Sequence, residues 1–179
     1  MKKLSIVATV LASVLTIPAQ AELDKLYLEG SVGQTEFQVD GADNTDDTSV
    51  GFLAGYQVLQ HDALNVSAEL GFNQYLHEEE ETILGDVSNT ISSVSLGAKV
   101  GYEVMPKLEV FGRLAYESMT QEVEFLGMSA SESADEVTYG IGASYEVMEK
   151  LSVGTQYKYA KLDEETDLSN VNLFVGYQF

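Results

Sequence analysis

Ser93-Val94-Ser95-Leu96-Gly97-Ala98-Lys99-Val100-Gly101-Tyr102-Glu103-Val104 changes character at every step. Val94, Leu96, Ala98, Val100, Tyr102 and Val104 fall on one side; Ser93, Ser95, Gly97, Lys99, Gly101 and Glu103 fall on the other. A period of two belongs to an extended strand whose faces meet different surroundings. The same close recurs along the chain as Gly55-Tyr56-Gln57-Val58, Gly101-Tyr102-Glu103-Val104, Ser144-Tyr145-Glu146-Val147 and Gly176-Tyr177-Gln178-Phe179. Each of the first three is followed by a short polar break and a new alternating run. Four strands ending alike at one depth predict four hairpins and eight strands.

The composition of the polar side decides which face meets which solvent. Val50, Phe52, Ala54, Tyr56 and Val58 oppose Gly51, Leu53, Gly55 and Gln57, and Leu64, Val66, Ala68, Leu70 and Phe72 oppose Asn65, Ser67, Glu69, Gly71 and Asn73. A soluble eight-stranded carrier lines its cavity with bulky apolar side chains. Here the polar side combines glycine, serine and isolated charges, which suits a narrow, filled interior, so the apolar side faces lipid. Tyr56, Tyr102, Tyr145 and Tyr177 are then expected to form an aromatic girdle at headgroup level. The alternation predicts strands over about 25–37, 48–58, 64–75, 89–104, 108–119, 136–147, 151–162 and 169–179. Connections at 60–63, 105–107 and 148–150 are short; those around 40–47, 76–88, 120–135 and 163–168 are longer and acidic. The fold class is therefore all-β, an eight-stranded antiparallel up-and-down transmembrane β-barrel with short periplasmic turns and longer acidic extracellular loops.

Lys2 and Lys3, an apolar run from Leu4 to Ile17, Pro18 and the triplet Ala19-Gln20-Ala21 read as a secretory signal peptide over 1–21, leaving a barrel domain over 22–179. Its removal leaves seven basic residues against 29 acidic ones and a formal charge of −22. Such a surface repels nucleic acid, and no nucleic-acid partner is expected. With no cysteine there is neither a disulfide nor a lipid-attachment thiol.

The C-terminal strand places Val171, Leu173, Val175, Tyr177 and Phe179 on one face. With this feature and the repeats, the mature chain from about Leu23 to Phe179 resembles the small outer-membrane barrels of the OmpA transmembrane-domain and OmpX type, a porin-like family. The resemblance implies a location in the cell outer membrane of a Gram-negative envelope and contact with its lipids and lipopolysaccharide. It also implies that those five residues form the signal read by the barrel-assembly machinery. Nothing follows Phe179, so the peptidoglycan-binding domain of OmpA-type proteins is expected to be absent. A monomer is expected, since pairing the last strand with the first removes the sheet edge.

Counting from the periplasmic strand ends sets Glu69, Lys99 and Arg113 at one height, with Glu29 and Lys158 nearby. Unpaired buried charge costs several kcal/mol, so these five are expected to form an interior ion network in which Glu69 bridges Lys99 and Arg113. Eight strands leave an interior only wide enough for side chains. The expected role is structural, in envelope integrity or surface interaction, with a lumen filled by polar side chains. A weak ion or small-solute channel is the alternative, and an adhesin, a lipid-modifying enzyme or a soluble periplasmic barrel are further ones. No catalytic residue is assigned: His61 sits in a turn, and His77 lacks the serine that a deacylase pattern requires. No cofactor or metal site is expected either, because no Asp-x-Asp-x-Asp-Gly run occurs. The acids of the loops, among them Asp40, Asp43, Asp46, Asp47, Glu78 to Glu81, Glu122, Glu132, Asp135 and Asp163 to Glu165, are candidates only for divalent bridging to lipopolysaccharide phosphates.

Overall fold

A computed structural model describes residues 23–39, 45–82, 85–125, 128–162 and 166–179; the side chains of 39, 45, 76–82, 85–88, 124, 125 and 128–130 lie outside it. The signal segment therefore falls outside the described residues. After a 3-10 turn at Leu23–Lys25 come β1 (Leu26–Val39), β2 (Thr45–His61), β3 (Leu64–Thr82), β4 (Gly85–Met105), β5 (Leu108–Phe125), β6 (Met128–Met148), β7 (Leu151–Lys161) and β8 (Thr166–Gln178). Each strand pairs antiparallel with its neighbour in sequence, and β8 pairs with β1, closing the barrel.

The repeated signature has a structural meaning at each of its positions. The tyrosine lies opposite the leucine that opens the preceding strand: Leu26 with Tyr56, Leu64 with Tyr102, Leu108 with Tyr145 and Leu151 with Tyr177. At Val58, Val104 and Val147 the register slips by one residue, a β-bulge just before each turn. Asp62, Lys107 and Lys150 take φ of 51°, 73° and 70°, so each chain reversal is completed in two residues. A bulge beside a left-handed residue lets these turns stay short.

Orientation follows from exposure. Phe52 is 74% and Ile141 69% exposed on the outer face, whereas Glu117 and Leu168 on the inner face are both 0% exposed. Outward apolar runs such as 50–58, 64–72, 94–102 and 137–145 span nine residues each. At ~3.3 Å per residue and a tilt of ~40°, nine residues cover about 23 Å, close to the apolar band of a barrel in a bilayer. Tyr56, Tyr102, Tyr145 and Tyr177 border that band at the turn end. Tyr116, Tyr139 and Tyr157, exposed on the same face, border it at the loop end, a second girdle that the turn-end repeat does not reveal.

Two connections differ from expectation. The segments around 76–88 and 120–135 are strand rather than loop: β3 and β4 pair as far as Thr82 with Gly85, and β5 and β6 as far as Phe125 with Met128. The acids of these segments, Glu78 to Glu81, Glu122, Glu124 and Glu132 among them, make them read as loops in the sequence, while their backbone ladder continues. β3 outruns its last β2 pair, Val50 with Gln74, and β6 outruns its last β7 pair, Thr138 with Ala160. A sheet of β3 to β6 therefore protrudes beyond the apolar band.

Candidate functional site in the barrel lumen

Every second residue of a strand returns to the same face, so the lumen is built in layers. At the turn end is a vestibule of about 630 Å3 whose lining includes Gln57, Asn65, Lys99, Glu103, Glu109 and Glu146. Lys99 Nζ lies 3.1 Å from Glu109 Oε1, and Asn65 Nδ2 donates to the other carboxylate oxygen. The Lys99 ammonium also sits 4.9 Å from the centroid of the Tyr27 ring.

Above the vestibule wall come three aromatic side chains, each over a glycine directly opposite in the ladder. Tyr27 covers Gly55, Phe111 covers Gly142 and Phe174 covers Gly154. A Cβ on these glycines would lie 2.1, 2.5 and 2.3 Å from the facing ring. The glycines of the polar face thus clear space for the rings across from them.

Arg113 rests on this aromatic layer, 4.7 Å from the Phe111 ring centroid. All three of its guanidinium nitrogens are engaged: Nε lies 3.0 Å from Glu69, Nη2 donates to Glu29 at 2.6 Å and Nη1 donates to Gln156 at 2.5 Å. The Tyr27 hydroxyl donates to Glu69 at 2.5 Å. One cation between two carboxylates leaves an excess negative charge, and the phenol spreads part of it.

The next layer centres on Glu117. Its Oε1 accepts from Tyr75 at 2.5 Å, from Asn73 at 3.2 Å and from Ser93, while Oε2 lies 3.5 Å from Lys158 Nζ. Lys158 also donates to the Tyr75 hydroxyl at 2.8 Å. In the same lumen Asn170 Nδ2 donates to Thr35 and Ser49, and Asn172 donates to Asn170 Oδ1. At the loop end the lining turns apolar: Phe37, Tyr75, Met119, Ala160 and Leu168 cluster, with Ile91 and Leu162 packed against them.

Of the five charged residues singled out in the sequence, Glu29, Glu69 and Arg113 meet in one cluster. The bridge expected from Glu69 to Lys99 is replaced by the pair of Lys99 with Glu109, and Lys158 goes to Glu117. Ladder register explains the first. Ser67, not Glu69, stands opposite Lys99, and Lys99 stands opposite Arg113. Two cations side by side repel, so Arg113 turns toward the loop end and Lys99 toward the turn end. Glu109, Glu117, Tyr27, Tyr75 and Gln156 were not singled out. The signal for two of them was present, since Glu109, Phe111, Arg113 and Glu117 share one parity in β5.

On β8, Val171, Leu173, Val175 and Tyr177 point outward. The Phe179 amide donates to the Leu26 carbonyl at 3.0 Å, and the Phe179 ring packs edge-on against Tyr177. His61 is exposed with Nε2 3.8 Å from Asp62, whereas the His77 side chain lies outside the described residues. Among the described residues no group of three or more metal-ligating side chains is brought together. Asp40, Asp43 and Asp163 to Glu165, together with the side chains of Glu78 to Glu81, lie outside the described residues.

A closed eight-stranded barrel with an apolar exterior and a charged, hydrogen-bonded interior defines a transmembrane β-barrel. The chain belongs to the outer membrane protein beta-barrel domain family, which it matches over residues 7–179, and its place is the outer membrane. Solved structures share the fold. Ail, the attachment invasion locus protein of Yersinia pestis, is 19% identical with a TM-score of 0.66, over 86% of this chain and 97% of that one. Ail has also been solved in complex with the heparin analogue sucrose octasulfate, at 18% identity and a TM-score of 0.64 over 87% of this chain and 99% of that one. Neisserial surface protein A (NspA) is 11% identical with a TM-score of 0.68, over 87% and 97% of the two chains. The N-terminal β-barrel domain of Pseudomonas aeruginosa OprF is 14% identical with a TM-score of 0.54, over 87% and 98%. No curated protein sequence matches the chain significantly.

Proposed function

We propose that this protein supports the outer membrane and presents an acidic surface from it, without a wide pore and without catalysis. In this reading the segment 1–21 is removed on export, the turns face the periplasm and the β3 to β6 sheet stands outside the cell. Val171, Leu173, Val175, Tyr177 and Phe179 serve recognition by the assembly machinery, and the apolar band meets membrane lipids. The observation that carries the reading is the sheet protruding beyond the lipid band, set against a lumen whose charged side chains are engaged with one another.

Charge narrows the partner. The complex of Ail is with a polyanion, but this chain carries a formal −20 and concentrates acids on its hairpins. Like charge opposes polyanions, so the surface suits cationic partners, or lipopolysaccharide phosphates bridged by divalent cations. Outer-membrane fractions carrying the intact chain are expected to be retained on immobilised oligolysine and not on heparin. A variant with residues 78–87 and 121–132 replaced by short turns is expected to keep the heat-modifiable gel mobility of a folded barrel and lose that retention. Retention on heparin, or equal retention of both forms on oligolysine, overturns the reading. A weak ion channel is the second reading, favoured by the vestibule at the turn end.

A further inference from the structure

The vestibule reaches inward from the turns only to Tyr27, Glu29, Ser67 and their neighbours. Beyond it lie, in order, the Arg113 layer, the Glu117 layer and the apolar ring at the loop end. We infer that this apolar ring, rather than the ion network, seals the barrel, and that the lumen is a blind vestibule admitting small cations from the turn side and passing none through. The inference rests on the reading of the lumen as lacking a wide pore and names the barrier responsible.

The polar layers make poor barriers on their own. Arg113 holds three acceptors at once, and Lys158 has both Glu117 and Tyr75. An entering cation or water can take the place of one partner while the others hold, so each step exchanges one set of oxygen or nitrogen contacts for another. The ring offers no such exchange. Phe37 stands directly opposite Leu168, and Leu168 directly opposite Ala160. Ile91, Met119 and Leu162 join them. Tyr75 carries the one hydroxyl of this cluster, and it is turned to Glu117 and Lys158. An ion here loses its water and gains nothing in return, at a cost of several kcal/mol, and narrow apolar constrictions expel water.

The sign of the admitted ion follows from the charged groups of the lumen described above. Glu29, Glu69, Glu109 and Glu117 face Lys99, Arg113 and Lys158, one carboxylate more than the cations. Opening the ring therefore leaves a path that favours cations.

Single-channel recording in planar bilayers separates the barriers. The unaltered protein and Glu69→Ala are expected to be silent. The double variant Met119→Ser with Leu168→Ser is expected to show discrete current steps, with a reversal potential in a potassium chloride gradient displaced toward that of potassium. Current through Glu69→Ala with the unaltered protein silent, silence of a double variant that runs as a folded barrel, or anion selectivity sinks this inference alone. Current through the unaltered protein sinks it together with the non-conducting reading. Should the double variant fail to fold, Gln57→Cys in this cysteine-free chain gives a second measurement. In proteoliposomes of protease-scored orientation, a membrane-impermeant thiol reagent is expected to label it from the turn side and not from the loop side. Comparable labelling from both sides overturns the proposal.

Discussion

A guanidinium inside a narrow barrel must exchange its water for fixed acceptors, and Arg113 does so with two carboxylates and an amide while standing on two aromatic rings. Removing it strands Glu29 and Glu69, whose side chains are 8% and 6% exposed. Breaking a buried pair by deleting one partner costs about 3–5 kcal/mol, because the remaining charge keeps its desolvation penalty. Arg113→Met is therefore expected to lower the unfolding free energy by about that amount in urea titrations of the refolded protein. The Lys107 to Glu146 pair is 3.6 Å apart with both side chains half exposed. Exposed pairs contribute roughly 0–1 kcal/mol, so Lys107→Met is expected to move the same titration by less than about 0.5 kcal/mol. Equal losses in the two variants would place Arg113 in contact with water.

At the scale of the strand, glycine opposite an aromatic is what lets a barrel of this width hold rings in its interior. Gly154→Ala would set a methyl 2.3 Å from the Phe174 ring, and overpacking of this kind costs about 1–3 kcal/mol. Gly112 faces outward with nothing nearer than 3.9 Å to an added Cβ. Gly112→Ala is expected to be neutral or stabilising by about 0.5 kcal/mol, as glycine in a strand carries excess chain entropy. Thermal unfolding of the two variants side by side checks both signs. The strands crossing the bilayer were legible because lipid on one side and polar side chains on the other impose a strict period, and a small residue, a tyrosine, a polar residue and a closing Val or Phe marked the end of each hairpin. The protruding parts of β3 to β6 were not legible, since their acids, Glu78 to Glu81 above all, read as loop rather than as strand. Within the lumen, parity along each strand placed Arg113, Glu69 and Glu29 on the inner face. Which partner each one takes depended on inter-strand register, and the bulges at Val58, Val104 and Val147 shift it by one residue in a way that counting from the turns does not capture.

The whole molecule carries a formal −20, and its acids crowd the hairpins, where self-repulsion opposes the folded state. Salt should relieve this: raising ionic strength from about 0.01 to about 0.1 M shortens the screening length from roughly 30 to roughly 10 Å. The buried pairs are screened far less. The urea midpoint of the refolded barrel is therefore expected to rise over that interval, whereas a fall would mean that exposed ion pairs outweigh the repulsion.

The closure of β8 onto β1 also fixes a time order for assembly. The Gln178 side chain donates to the Asp24 carbonyl 154 positions earlier in the chain, and the neighbouring Phe179 amide bonds to Leu26. Contacts so remote in sequence carry the largest loop-closure entropy and form slowly. The first strand of this protein must wait, with half of its hydrogen-bonding groups unanswered, until synthesis and export have delivered the last. The cylinder is thus completed only once β8 has arrived beside β1, and every earlier intermediate is an open ribbon vulnerable to mispairing with its neighbours.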